Sequence, residues 1–235
     1  MNEFILALDS DIFLWLNSFH APYWDMVMKM CSGKLTWSIM YLFLIYAMWR
    51  TFGWRTTAVM TLMSILAVVI ADQTAASLLR PIFERPRPSN PDSPISEMVH
   101  IVNGYRGGRY GFPSCHAANT FAVATLMSLL FWRWRFTLFI CLWALLNCYS
   151  RIYLGVHYPG DLLAGTVVGC LSGALVYFIG ALVTKKIDGD LTPRKSSVIR
   201  TTDLEGLKLV YHPVDVTICS GILTLVFILI CASAI

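Results

Sequence analysis

Apolar runs of 14 to 26 residues, around the roughly 20 that cross the hydrocarbon core of a bilayer, recur along this chain and set what it can fold into. They fall at about Leu35–Trp49, Thr57–Leu79, Ser114–Trp132, Phe136–Tyr149, Tyr158–Val183 and Val214–Ile235. The expected fold is all-α: a polytopic membrane helix bundle of about six transmembrane helices, in a single domain. Composition agrees. Of the 235 residues 57% are hydrophobic and mean hydropathy is +0.62, whereas soluble domains sit near roughly 45–50% apolar. Only 14% of residues are charged, and they gather between the runs.

Residues 1–34 read differently. Phe4, Ile5, Leu8, Ile12, Leu14, Trp15, Leu16 and Phe19 alternate with Asp9, Asp11 and Asn17. That pattern, with Tyr23 and Trp24 suited to the headgroup level, predicts one or two amphipathic helices at the interface, or a helix packed into the bundle. No basic region and cleavage site precede them, so a cleaved signal is not expected. The seven cysteines form no CxxC pair, and most lie in apolar runs, which argues against a zinc site or a redox pair. A net charge of +4 without aromatic-and-basic repeats gives no support for a nucleic-acid partner.

Six spans put alternate connections on opposite faces. Arg50, Arg55, Arg133, Arg135 and the mixed-charge loop 184–212, with Lys185, Lys186, Arg194, Lys195, Arg200 and Lys208, share one face. The positive-inside rule makes it cytoplasmic. The opposite, outer face still carries Arg80, Arg85, Arg87, Arg106, Arg109 and Arg151. Those arginines need a reason to be there, and anion binding is one. The second span contains Asp72, read as a polar contact between helices.

Three polar pieces end on that outer face. One is Arg80-Pro-Ile-Phe-Glu-Arg-Pro-Arg87-Pro, opening a long connection rich in proline and glycine that runs to Pro113. Another is Pro113-Ser114-Cys115-His116, at the start of the third span. The last is Ser150-Arg151, then His157, then Asp161. A histidine and an aspartate four apart share one face of a helix turn. The carboxylate can hold one imidazole nitrogen as N–H and leave the other free to attack, an arrangement that suits many reactions.

The order and spacing of these pieces resemble the type-2 phosphatidate phosphatase superfamily, whose membrane members are related to vanadium haloperoxidases. The family pattern is Lys, six residues, Arg-Pro; then Pro-Ser-Gly-His; then Ser-Arg, five residues, His, three residues, Asp. This chain departs from it twice, with Arg80 in place of Lys and Cys115 in place of Gly. Arg keeps the charge but changes the contact geometry. Cys115 is strained if the position needs a positive φ, and suffices if it only offers a backbone N–H; the latter is expected.

The resemblance covers residues 35–183, the expected catalytic core, and implies hydrolysis of a phosphate ester or anhydride through a phosphohistidine; charge makes 184–212 a cytoplasmic loop and hydropathy makes 213–235 the sixth span. His157 is then the nucleophile, Asp161 its orienting partner and His116 the acid and base. Arg80, Arg87, Ser114, Cys115 and Arg151 bind the phosphate, and Arg106 and Arg109 are candidates for a second phosphate or a sugar headgroup. No metal and no cofactor are implied. A site at span ends suits a lipid phosphate as substrate, in a bacterial inner membrane with the site facing outward. Undecaprenyl diphosphate is the leading expectation. Lipid A and phosphatidylglycerophosphate are the alternatives, and a lipid phosphotransferase or a lipid-binding or transport protein are readings of other classes.

Overall fold

The computed structural model describes residues 3–33, 35–189, 191–193, 198–202 and 208–233. Backbone polar groups in hydrocarbon must be bonded within the segment itself, which favours helices, and helices dominate: α1 (Glu3–Asn17), α2 (Pro22–Cys31), α3 (Ser38–Phe52), α4 (Trp54–Gln73), a π-helical segment (Thr74–Leu79), the short α5 (Arg80–Phe83), α6 (Cys115–Phe131), α7 (Trp134–Tyr153), α8 (Pro159–Asp188) and α9 (Pro213–Ser233). Breaks follow local chemistry. Gly53, at φ 94°, ends α3 and lets α4 start at once. Pro159 opens α8 at the position where its missing N–H costs nothing.

Four helical stretches are long and apolar enough to cross a membrane: Trp54–Phe83, Trp134–Tyr153, Pro159–Asp188 and Pro213–Ser233. The runs expected as the first and third spans are α3 and α6, apolar but only 15 and 17 residues long. The reason is plainest for α6. It starts at Ser114, which is fully buried, so its N-terminus lies inside the protein and not at a water-facing end.

The segment expected as a loop from residue 184 is more ordered than the sequence suggested. Helix α8 carries Lys185 and Lys186 and runs to Asp188. The antiparallel pair β1 (Ile199–Thr202) and β2 (Lys208–Tyr211) follows, with Ile199 opposite Tyr211. Arg194, Lys195 and the last two residues of the sixth span lie outside the described residues.

Helix α6 packs between α4, α7 and α8, and its contact with α8 is the tightest. Gly165, Gly169 and Gly173 face α6 every fourth residue. A Cβ on any of them would overlap the carbonyl oxygen of Ser114, Ala118 or Ala122 respectively. Small residues are what allow such an approach in a bilayer. Asp72 of α4 accepts a hydrogen bond from Asn119 Nδ2 of α6 at 3.0 Å, the interhelical contact expected of it.

Helices α1 and α2 lie across the end of the bundle where the long connection folds. Phe13 is fully buried, while Phe4, Ile5, Leu8, Ile12, Trp15 and Phe19 form an exposed apolar stripe. Asn17 Nδ2 donates to the carbonyls of Ile152 and Tyr153 at 3.1 and 2.9 Å, and its Oδ1 accepts the His100 N–H at 2.8 Å. The N-terminal segment is thereby tied to the end of α7 and to the connection at once.

Candidate active site

The connection after α5 is held in shape by backbone bonds. Arg87 N–H donates to the Arg109 carbonyl, Gly111 N–H donates to the Arg85 carbonyl, and Pro86 pairs with Tyr110. This folds the arginines of residues 80–87 onto residues 109–114. Gly111 is needed at the crossing: a Cβ there would stand 3.0 Å from Asp161 Oδ2 and 3.1 Å from Arg87 Cγ. Upstream, the π-helical segment ends at Arg80. A π turn shifts the helix face on which following residues emerge. Arg80 Nη2 donates to the Pro113 carbonyl at 3.2 Å and to Cys115 Sγ at 2.9 Å.

His157 is almost completely buried, between α7 and α8. Its Nδ1 lies 3.3 Å from Asp161 Oδ2, and its Nε2 lies 3.0 Å from Arg87 Nη1. A guanidinium only donates. Nε2 must therefore be the acceptor, and the ring proton sits on Nδ1, toward the carboxylate. Burial lowers the His157 pKa well below the ordinary value, and the charges of Arg87, Arg151 and Arg80 push it further the same way. The ring is thus neutral, with a lone pair on the nitrogen that faces the arginines. Asp161 is itself fixed: its Oδ2 also accepts the Tyr158 N–H at 3.0 Å, and its carbonyl accepts the Ser114 N–H at 2.9 Å. That last bond joins the start of α6 to the start of α8.

Three guanidinium groups gather here with too little negative charge between them. Arg87 and Arg151 are both buried. Burial lowers the Arg87 pKa to about 10, and Arg80 and Arg151 contribute in the same direction. Arg151 Nη1 donates to Ser32 Oγ, and its guanidinium lies over the Tyr105 ring. Among the described residues, Arg80 Nε, Arg151 Nε and Ser114 Oγ are buried without a hydrogen-bond partner. Buried donors normally have one, and converging cationic donors are what an anion such as phosphate supplies a partner to. Ser114 is the N-cap of α6, and helix N-termini favour anions. Cys115 occupies the first position of α6 with no positive φ, so its side chain brings no backbone strain. His116, next in the same turn, is half-buried.

The structure brings His157, Asp161, Arg80, Arg87, Arg151 and the Ser114–His116 turn to one place. Arg106 and Arg109 lie apart from that cluster in their bonding. Arg106 Nη1 donates to the Ser89 carbonyl, and Arg109 makes an exposed ion pair with Asp92 at 3.2 Å. Arg85 is the opposite case. The sequence places it only among the outer-face arginines, yet its side chain is nearly buried and its Nη1 reaches Asp161 Oδ1 at 3.1 Å. The run Arg-Pro-Arg-Pro was the only available signal, since the prolines stiffen the segment and bring both arginines to one side.

The PAP2 superfamily model matches residues 61–184. The chain is 41% identical over 231 residues to a protein named lipid A 4'-phosphatase from Bacteroides thetaiotaomicron, covering 98% of this chain and 97% of that one. It is 33% identical over 202 residues to a protein of the same name from Porphyromonas gingivalis, covering 86% and 85%. Among solved structures, the crystal structure of Aquifex aeolicus LpxE superposes with a TM-score of 0.55 at 24% identity, over 72% of this chain and 94% of that one. That likeness concerns the fold.

Proposed function

The chain belongs to the PAP2 superfamily, and from that membership we propose that it is a membrane lipid phosphatase that removes a phosphate from lipid A through a phosphohistidine. The observation that carries this reading is His157: a neutral imidazole, held at Nδ1 by Asp161, with Nε2 turned to a cluster of arginines. Arg80, Arg87, Arg151, Ser114 Oγ and the Cys115 N–H receive the phosphate oxygens. Arg87 Nη1 leaves Nε2 for an oxygen as the phosphate enters. Nε2 then attacks phosphorus and the P–O bond to the lipid breaks, while His116 gives its proton to the departing oxygen. Asp161 stabilises the positive ring that forms. His116 next takes a proton from water, the water cleaves the P–N bond, and inorganic phosphate leaves with His157 restored. Charge in phosphoryl transfer rests on the phosphoryl oxygens, so positioned cations do most of the work.

The names of the two relatives that match most of the chain favour lipid A over undecaprenyl diphosphate. The loop arginines that had suggested two phosphates are engaged by Ser89 and Asp92. The positive-inside rule supports a site facing away from the cytoplasm, because Arg50, Arg55, Arg133 and Arg135 cluster at the turns opposite the site. A bacterial inner membrane with the site toward the periplasm fits that orientation.

The test is phosphate release by purified protein from lipid A, undecaprenyl diphosphate and phosphatidylglycerophosphate in mixed micelles. Lipid A is expected to be turned over fastest, and His157→Ala to release no phosphate above background. A preference for another lipid overturns the substrate assignment. Full activity in His157→Ala overturns the mechanism.

A further inference from the structure

Arg85 connects the catalytic carboxylate to the N-terminal helix. Its Nη1 lies 2.7 Å from Asp9 Oδ2 of α1 and 3.1 Å from Asp161 Oδ1 of α8. The three side chains are 11%, 13% and 0% exposed, so the bridge is shielded from water. Shielding strengthens the attraction between the charges and makes the loss of either partner costly, because a buried charge is then left uncompensated. Asp9 also grips the other side of the same turn, its Oδ1 accepting the Gly160 N–H at 2.8 Å. Gly160 permits this approach: a Cβ there would meet Asp9 Oδ2 at 2.8 Å. Between these contacts lies Tyr158. Its ring has the Arg85 guanidinium over it, 3.9 Å from the centroid, and Phe13 of α1 at 5.4 Å. Every residue from Tyr158 to Asp161 that orients His157 is therefore touched by α1, by Arg85 or by both, apart from Pro159.

We propose that Asp9 and Arg85 are positioning residues for phosphoryl transfer, through which α1 fixes the carboxylate that orients His157. The proposal rests on the reading that His157 attacks phosphorus with Asp161 holding its Nδ1–H. Neither residue touches the phosphate. With Oδ1 of Asp161 anchored by Arg85, Oδ2 stays directed at the imidazole and at the Tyr158 N–H. Without that anchor the carboxylate can rotate, and Nε2 loses its aim at phosphorus. A displacement on the order of 1 Å at a reacting group costs about a hundredfold in rate. Arg85 also holds a buried negative charge in balance. Because one guanidinium nitrogen serves both carboxylates, removing Asp9 releases Arg85 to move toward Asp161 and changes the geometry of that pair. The apolar stripe of α1, on Phe4, Leu8, Ile12 and Trp15, stays exposed at the far side of the helix from these contacts. The helix that would rest on the lipid surface is thus the one that steadies the carboxylate.

The test compares Asp9→Asn, Arg85→Gln, Arg85→Lys and the double variant Asp9→Asn/Arg85→Gln with the wild type and with Asp161→Asn. Each is purified in full length, and turnover is counted per phosphate-labelled active site, so that loss of folded protein does not enter the rate. Expected is a fall in kcat of roughly tenfold for Asp9→Asn and ten- to a hundredfold for Arg85→Gln, with KM for lipid A unchanged within about twofold. The double variant should be no slower than Arg85→Gln, because Asp9 acts through Arg85. Arg85→Lys should recover much of the rate, since a single ammonium can replace the shared nitrogen. Wild-type kcat per site in both single variants, with Asp161→Asn impaired, overturns the proposal alone. Independent, additive losses in the double variant also overturn it. Wild-type kcat in Asp161→Asn overturns the underlying reading instead.

Discussion

At the scale of the residue, the surroundings of His157, the proposed nucleophile, disfavour a proton charge on the free ring. Burial and three neighbouring arginines hold its pKa well below the ordinary value. An unfolded histidine titrates near about 6.5. Above that value both states are neutral and His157 costs nothing. As pH falls below it, the unfolded chain binds a proton that the folded chain refuses, and stability is lost until the folded pKa is reached. The melting temperature in detergent should therefore fall between about pH 7 and pH 5, and fall less in His157→Asn than in the wild type. Equal slopes would show that His157 is not the source. The residues of this site were legible in unequal measure. The four-residue spacing of His157 and Asp161 announced their pairing, although His157 precedes the α8 N-cap Tyr158 and the two meet across the helix start and not within one helical turn. Arg85 and Asp9 meet across distant parts of the chain, and nothing in the sequence near either one announces its partner. The proximity of Asp9 to Gly160 depends on how α1 docks, which only tertiary packing decides.

At the scale of the element, two features place the reacting groups. The π-helical segment Thr74–Leu79 precedes Arg80, and the glycine face of α8 meets α6. Glycine and alanine are abundant in α8, a composition that suits close helix approach. The π segment carries no such signal, because its composition of Thr, Ala, Ser and Leu fits an ordinary helix equally well. The expected bounds of α3 and α6 were close, α3 lying three residues later than Leu35–Trp49 and α6 within Ser114–Trp132, but an apolar run does not reveal that a helix such as α6 begins deep within the protein. The α6–α8 contact makes a specific prediction. Gly169→Ala places a methyl group against the Ala118 carbonyl, where flexible side chains are not available to yield. Overpacking of this kind costs about 1–3 kcal/mol. The helices must separate, and the Ser114–His116 turn then shifts relative to His157. A lower melting temperature together with reduced kcat is expected, read by thermal unfolding and phosphate release on the same preparation. A stable variant with wild-type kcat would show that the contact has slack.

At the scale of the whole molecule, the bundle puts one pole of arginines around a buried histidine and another at the turns near Arg50 and Arg133. In the proposed mechanism Arg80, Arg87 and Arg151 take the place of the positive charge that a divalent ion supplies in other phosphatases. Among the described residues, no group of three or more His, Cys, Asp or Glu is arranged to ligate a metal. With three guanidinium groups around His157 to take the phosphoryl charge, phosphate release should persist in excess chelator at the rate seen without it. A loss that added divalent ions restore would count against arginine-only stabilisation. The helical membrane architecture was readable from hydropathy alone, because lipid leaves few options for backbone polar groups. The way residues 84–113 fold over the end of the bundle was not, since many of its bonds run between carbonyls and amides that any sequence possesses.

The seamless meeting of α6 and α8 has a consequence for how such an enzyme diversifies. It carries Ser114–His116 and His157–Asp161 as one inflexible block, knit further by the Ser114 N–H to Asp161 carbonyl bond. Residues 103–109, by contrast, stand exposed beside that block. That stretch is nevertheless tied to the arginines of the site, Tyr105 lying under the Arg151 guanidinium and the Arg109 carbonyl taking the Arg87 N–H, so a change of headgroup recognition there would be felt at the reaction itself.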